Sequence, residues 1–101
     1  MASFVKVCKQ GDIPTGTGKT VSVNGKAVAL FNVDGTFHAI DDTCIHRGGP
    51  LGEGELDGKI AICPWHGWRW DVTTGVNQLN SAISVKKYDV KVEGEDVLVA
   101  A

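Results

Sequence analysis

Cys44-Ile45-His46-Arg47-Gly48-Gly49-Pro50-Leu51 and Cys63-Pro64-Trp65-His66-Gly67-Trp68-Arg69-Trp70 are the two stretches on which the reading of this 101-residue chain turns. Between Cys44 and Gly75 lie seven of the thirteen glycines, two of the three prolines, all three tryptophans and two of the three histidines. Glycine is favoured where a backbone must approach something closely or take a positive φ. The segment therefore reads as loops wrapped around a buried object and inserted into a different scaffold.

That scaffold is legible outward from it as strands and tight turns. Val21-Ser22-Val23 alternates before Asn24-Gly25, and Lys26 to Val33 is apolar before Asp34-Gly35. Both dipeptides suit a type I′ turn, whose two central residues need positive φ. Asp57-Gly58 precedes the strand Lys59 to Ile62, and Val85 to Val92 pairs with Val97 to Val99 across Glu93-Gly94-Glu95-Asp96. Val5 to Cys8 reads as a first strand, and Asp12-Ile13-Pro14 as the start of one helical turn. No stretch sustains the 3.6-residue period of a helix. The expected fold is all-β, an antiparallel sandwich or barrel in one domain over residues 1–101, with a site-bearing insertion over about 42–75.

Composition narrows the function. A net charge of −2 argues against a nucleic-acid partner, which requires a basic face. The run Ala27 to Phe31 is far short of the roughly 20 apolar residues of a membrane span. Met1 to Lys9 shows no apolar core of a secretory signal, so a cytoplasmic location is expected. Three cysteines in such a chain point to metal or redox chemistry rather than a disulfide framework.

Cys44 and His46 are two apart, and in extended chain residues two apart face one way. Cys63 and His66 are three apart across a proline-bearing turn, and sixteen residues separate His46 from Cys63. Two thiolates and two imidazoles can close a tetrahedral zinc site or ligate the two irons of a cluster unequally. Structural zinc sites usually group like ligands, whereas each half here is mixed.

The pattern Cys-x-His, sixteen residues, Cys-x-x-His resembles the Rieske family motif. The likeness extends through Gly48-Gly49-Pro50-Leu51, Gly67-Trp68, Trp70-Asp71 and Thr74-Gly75. The flanking β pattern is similar to the small Rieske ferredoxins of bacterial ring-hydroxylating dioxygenase systems. The resemblance implies a Rieske fold, with two loops forming a cluster-binding subdomain on the β base, and one [2Fe-2S] cluster. Cys44 and Cys63 would bind the inner iron, His46 and His66 the outer one, with Gly48, Pro64, Trp65, Gly67, Trp68 and Trp70 around it. It also implies a monomeric carrier between a flavoprotein NAD(P)H reductase and a terminal oxygenase, docking each at the His46/His66 tip. A small subunit of a nitrite-reductase-type complex is the alternative within the same family, and a structural zinc module the alternative outside it.

Neutral imidazoles in place of two thiolates make the outer iron the easier one to reduce. High-potential relatives tie their loops with a disulfide, and the matching positions here are Gly49 and Trp65. They also place hydroxyl donors where this chain has Trp68 and Trp70. The expectation is therefore a potential of about −150 to −50 mV, the low end of the Rieske range, partly compensated by an indole N–H at Trp68. Gln78 to Ala82, where a proline-bearing covering loop is expected, holds no proline.

Other features have plainer readings. Gly16-Thr17-Gly18-Lys19-Thr20 imitates a phosphate-binding loop, but Ile13 stands where its first glycine is required, and a strand follows instead of a helix. Cys8 is a buried small hydrophobe. His38 is an outward strand position, and with only three histidines no second, mononuclear iron site can be built beside the cluster. Leu51 and Trp65 are candidates for docking or for core packing, and Glu53, Glu55 and Asp57 for a solvated loop able to steer a basic partner.

Overall fold

A computed structural model describes residues 4–42, 51–64, 68–78 and 82–100. Among the described residues nine strands run β1 Phe4–Lys9, β2 Gly18–Val23, β3 Lys26–Val33, β4 Thr36–Asp41, β5 Glu55–Asp57, β6 Ile60–Ile62, β7 Arg69–Asp71, β8 Lys87–Glu93 and β9 Asp96–Ala100. Six form one antiparallel sheet in the order β1-β9-β8-β4-β3-β2, and β1 returns to contact β2, so the sheet curls almost into a barrel. The other three form a small antiparallel sheet, β5-β6-β7. The all-β expectation and the inserted unit both hold.

The hairpin turns follow from their residues. Asn24 and Gly25 take φ of 51° and 82°, and Asp34 and Gly35 take 51° and 89°, as type I′ geometry demands. Two turns differ from the expectation. Asp57 pairs with Ile60 and Glu93 with Asp96, so Gly58-Lys59 and Gly94-Glu95 are the central pairs and the charged residue before each glycine ends a strand. Val85 lies outside β8, and the helical turn is a 3₁₀ turn at Gln10–Asp12, just before Ile13. There the Lys9 N–H donates to Asp12 Oδ2 at 3.0 Å. The imitation phosphate loop ends in β2, with Gly18 paired to Phe31.

β3 explains why Ala27 to Phe31 is apolar without alternation. Val28 and Leu30 face the barrel core with Val21, Val23, Phe37 and Val99. Ala29 and Phe31 face the other way, into a second core shared with Ile40, Leu51, Ala61 and Trp70. A strand covered on both faces needs apolar residues at successive positions. β3 is thus the wall common to barrel and inserted unit. Cys8 belongs to the barrel core, as expected, and its thiol is pushed up by burial and then by the Asp12 carboxylate.

Tyr88 closes the seam between β4 and β8. Its hydroxyl donates to Asp41 Oδ1, the Lys86 backbone N–H donates to Asp41 Oδ2 at 3.1 Å, and the Lys86 ammonium sits 5.2 Å from the ring centre. Burial, followed by the Asp41 carboxylate, pushes the phenol up to about 12.

Candidate metal centre

Of the four expected ligands, Cys63 lies among the described residues. It follows β6, is 2% exposed, and forms no disulfide. Cys44, His46 and His66 lie outside the described residues, as do Gly48, Trp65 and Gly67. So does the middle of the expected covering segment, Leu79 to Ser81. What the structure places is the frame holding both ligand-bearing stretches.

The first stretch is rooted at Asp42, which is 5% exposed although charged. Its Oδ1 accepts from the Thr20 hydroxyl at 2.8 Å and from the Gly52 N–H at 2.8 Å. Its carbonyl accepts from the Leu51 N–H at 2.6 Å. Residues 42 and 51 are therefore held together, with the segment carrying Cys44 and His46 between them. Gly52 must be glycine: a Cβ there would lie 2.6 Å from the Thr20 backbone nitrogen. Leu51 is fully buried in the second core, so it packs and does not dock.

The second stretch is rooted by the Cys63 N–H, which donates to the Trp68 carbonyl at 2.8 Å and closes the Pro64–Gly67 segment. This bond continues the ladder in which Ala61 faces Trp70 and Ile62 faces Arg69. Side chains alternate along a strand, so Leu56, Ala61, Cys63, Trp68 and Trp70 share one face of the small sheet. Trp70 is fully buried on it and Trp68 half-buried, with ring centres 6.2 Å apart.

Asp71 pins the turn that leaves β7. Its Oδ1 accepts from the Thr73 N–H at 2.9 Å and from the Thr73 hydroxyl, its carbonyl accepts from the Gly75 N–H at 2.6 Å, and Lys59 lies 3.3 Å from Oδ2. Burial works to raise its pKa, but the Thr73 hydrogen bonds and the Lys59 ammonium outweigh it and hold the carboxyl below its ordinary value. His38 stands on β4 opposite Phe31, half-buried rather than on the open surface. Burial and the Lys87 ammonium hold its imidazole below the usual range, against the opposing pull of Asp71. Glu53, Glu55 and Asp57 are exposed, as a solvated rim should be.

The sequence reading did not pick out Asp42. Its one signal was an acidic residue at a strand end facing a loop rich in glycine, where carboxylates cap backbone N–H groups.

The donor set can be tested against a metal cluster on this geometry. Trp70 Nε1 is completely buried and has no hydrogen-bond partner among the described residues. Among the described hydrophobic residues of the core around it, Cys63 supplies the one sulfur, and the buried Asn77 faces Trp70 from the other side. A buried thiol and an unpaired N–H on one face suit a bound group rich in soft sulfur acceptors. An all-β barrel carrying such a face, between two loops tied at their roots, has the architecture of a small iron–sulfur domain.

Comparison with known proteins makes the class specific. The chain belongs to the Rieske [2Fe-2S] domain family, whose model matches residues 3–99. It is 39% identical over 99 residues to the biphenyl dioxygenase ferredoxin subunit of Pseudomonas sp. (strain KKS102), covering 96% of this chain and 91% of that one. Among solved structures it is similar, at a TM-score of 0.87 and 34% identity, to the ferredoxin in a complex of reduced oxygenase and oxidized ferredoxin in carbazole 1,9a-dioxygenase. That match covers 96% of this chain and 92% of the other. A chain assigned as an NADH-dependent nitrite reductase small subunit from Mycobacterium tuberculosis superposes at a TM-score of 0.91 over 100% of this chain and 96% of its own. At 22% identity that likeness speaks for the fold alone. The protein is a Rieske-type electron carrier of the ferredoxin kind, and its cofactor is one [2Fe-2S] cluster.

Proposed function

We propose that Cys44 and Cys63 bind one iron of the cluster through sulfur, and that His46 and His66 bind the other through imidazole nitrogen. Residues 1–101 act as one domain, with about 42–75 as its cluster-binding subdomain. The cluster supplies one-electron redox chemistry. The chain's own residues hold its ligands, shield its sulfurs and present the histidine edge to partners. The partners are a flavoprotein NAD(P)H reductase, which donates, and a terminal aromatic-ring-hydroxylating oxygenase, which accepts. The protein meets each as a cytoplasmic monomer through a small, transient interface.

The single observation that carries this reading is the 39% identity with a dioxygenase ferredoxin subunit along nearly the whole of both chains. The four-ligand motif stands entire within that span, which supports a working cluster over a ligand-free structural subunit.

The purified protein should be coloured, hold two irons and two sulfides per chain, and give a rhombic EPR signal on reduction. It should turn over with NADH only when a reductase of this type is added, and then reduce an oxygenase. A colourless, zinc-loaded protein would sink the proposal. Co-elution as a fixed subunit of a larger reductase would turn it to the nitrite-reductase alternative.

A further inference from the structure

The small sheet's inner face carries an indole N–H that nothing among the described residues satisfies. Trp70 is 0% exposed and its Nε1 has no acceptor among the described residues. Buried N–H groups in native proteins are almost always paired, so an orphan calls for an acceptor yet to be accounted for. Two residues stand directly opposite: Ala61, which offers no acceptor from its side chain, and the buried Asn77, whose amide oxygen is not bonded to the indole. The diagonal neighbour on the same face is Cys63, one ladder step further along, and a long aromatic side chain spans that diagonal. Phe31 and Leu51, in the same core, present carbon only. The one soft acceptor this face offers is sulfur.

We propose that Trp70 Nε1–H donates a hydrogen bond to a sulfur of the cluster unit, either a cysteine thiolate or a bridging sulfide, and so raises the cluster's potential. This rests on the ligand assignment above. The reduced unit carries one more negative charge than the oxidised one, so a fixed donor favours it more. The effect is amplified where water is excluded, and Trp70 is fully buried while Trp68 is half-exposed. The tuning indole is therefore Trp70, not the Trp68 that the sequence suggested.

Trp70→Phe keeps a flat apolar ring and deletes the donor. Its midpoint potential should fall below that of the wild type, with iron content and the rhombic EPR signal intact. Trp70→Tyr restores a donor and should recover part of the loss, and Trp68→Phe should shift the potential less than Trp70→Phe. An unchanged or raised potential in a fully loaded Trp70→Phe protein overturns the inference. Should that variant fail to assemble, a Trp65→Phe, Trp68→Phe double variant leaves Trp70 as the sole tryptophan. Labelled with ¹⁵N-indole and reduced, it should show a nitrogen coupling to the cluster by pulsed EPR; absence of that coupling is equally fatal. Wild-type protein without iron would instead break the ligand assignment, so the two failures are distinguishable.

Discussion

The barrel and the inserted unit are built by different means. The barrel has strands of five to eight residues and a core of Val, Leu, Phe and Tyr side chains. Burying each such side chain contributes about 1.5–3 kcal/mol, so its shape follows from apolar surface leaving water. The inserted unit has three strands of three residues each, and its loop roots depend on hydrogen bonds to Asp42, Asp71 and the Trp68 carbonyl. Such bonds fix geometry, and contribute about 0.5–1.5 kcal/mol each when neutral and about 1.5–3 kcal/mol when a carboxylate accepts. The barrel supplies stability and the insert supplies position, and β3 joins the two.

Four experiments would break or sharpen that contrast. The largest effect is expected from Cys63→Ala, which should abolish cluster binding, read as loss of iron and of the rhombic EPR signal. Barrel amides such as those of Val28, Leu30 and Val99 should remain protected from hydrogen exchange, because none of the proposed ligands is among the described residues of their core. Global unfolding of the variant would show that the barrel does not stand alone. Next, Phe31→Ala removes the wall's largest side chain toward the insert and should cost about 3–5 kcal/mol in urea unfolding. Val28→Ala on the opposite face should leave cluster occupancy unchanged while lowering stability.

Asp42→Ala strands the Thr20 hydroxyl and the buried Gly52 N–H, and should cost about 1–3 kcal/mol. It should also accelerate iron loss to a chelator, since the segment carrying Cys44 is untied at one root. The smallest effects are those of acid. His38 has a folded pKa below its unfolded 6.5, so the unfolded chain protonates first and stability falls as pH drops through 6.5. Asp71 has a folded pKa below 3.8, so its contribution is complete above 3.8 and is lost as pH falls through the lower, folded value. Asp71→Asn should flatten only the lower of these two declines in a pH series of melting temperatures, and His38→Gln only the upper.

What the sequence made legible divides along the same line. Asn24-Gly25 and Asp34-Gly35 announced their hairpins because positive φ at both positions is a local demand. The unbroken apolar run in β3 was visible, but that it served two cores was not, because the second core arrives from residues 51 to 85. The turn at Gly58 was read one residue out of register, because with glycine first in the turn Asp57 stays in the ladder; at Gly94 the centre was right and Glu93 and Asp96 extend the strands. Leu51 stayed open between docking and core packing because its cover comes from Phe31 and Trp70, which are distant in sequence. Asp42 was opaque for the same reason, since its partners lie 22 and 10 residues away. Cys63 stood out by its motif, whereas the unequal burial of Trp68 and Trp70 is set by residues distant in sequence and was not legible.

Asp42 tying residue 51 back to residue 42 has a kinetic meaning as well as a structural one. An electron hops quickly only when little has to rearrange around the atom that receives it. The proposed ligands Cys44 and His46 lie between residues 42 and 51, and fixing those two ends is a way to keep the reorganisation energy small. The carboxylate that no partner will ever touch would then help set how fast this protein hands its electron on.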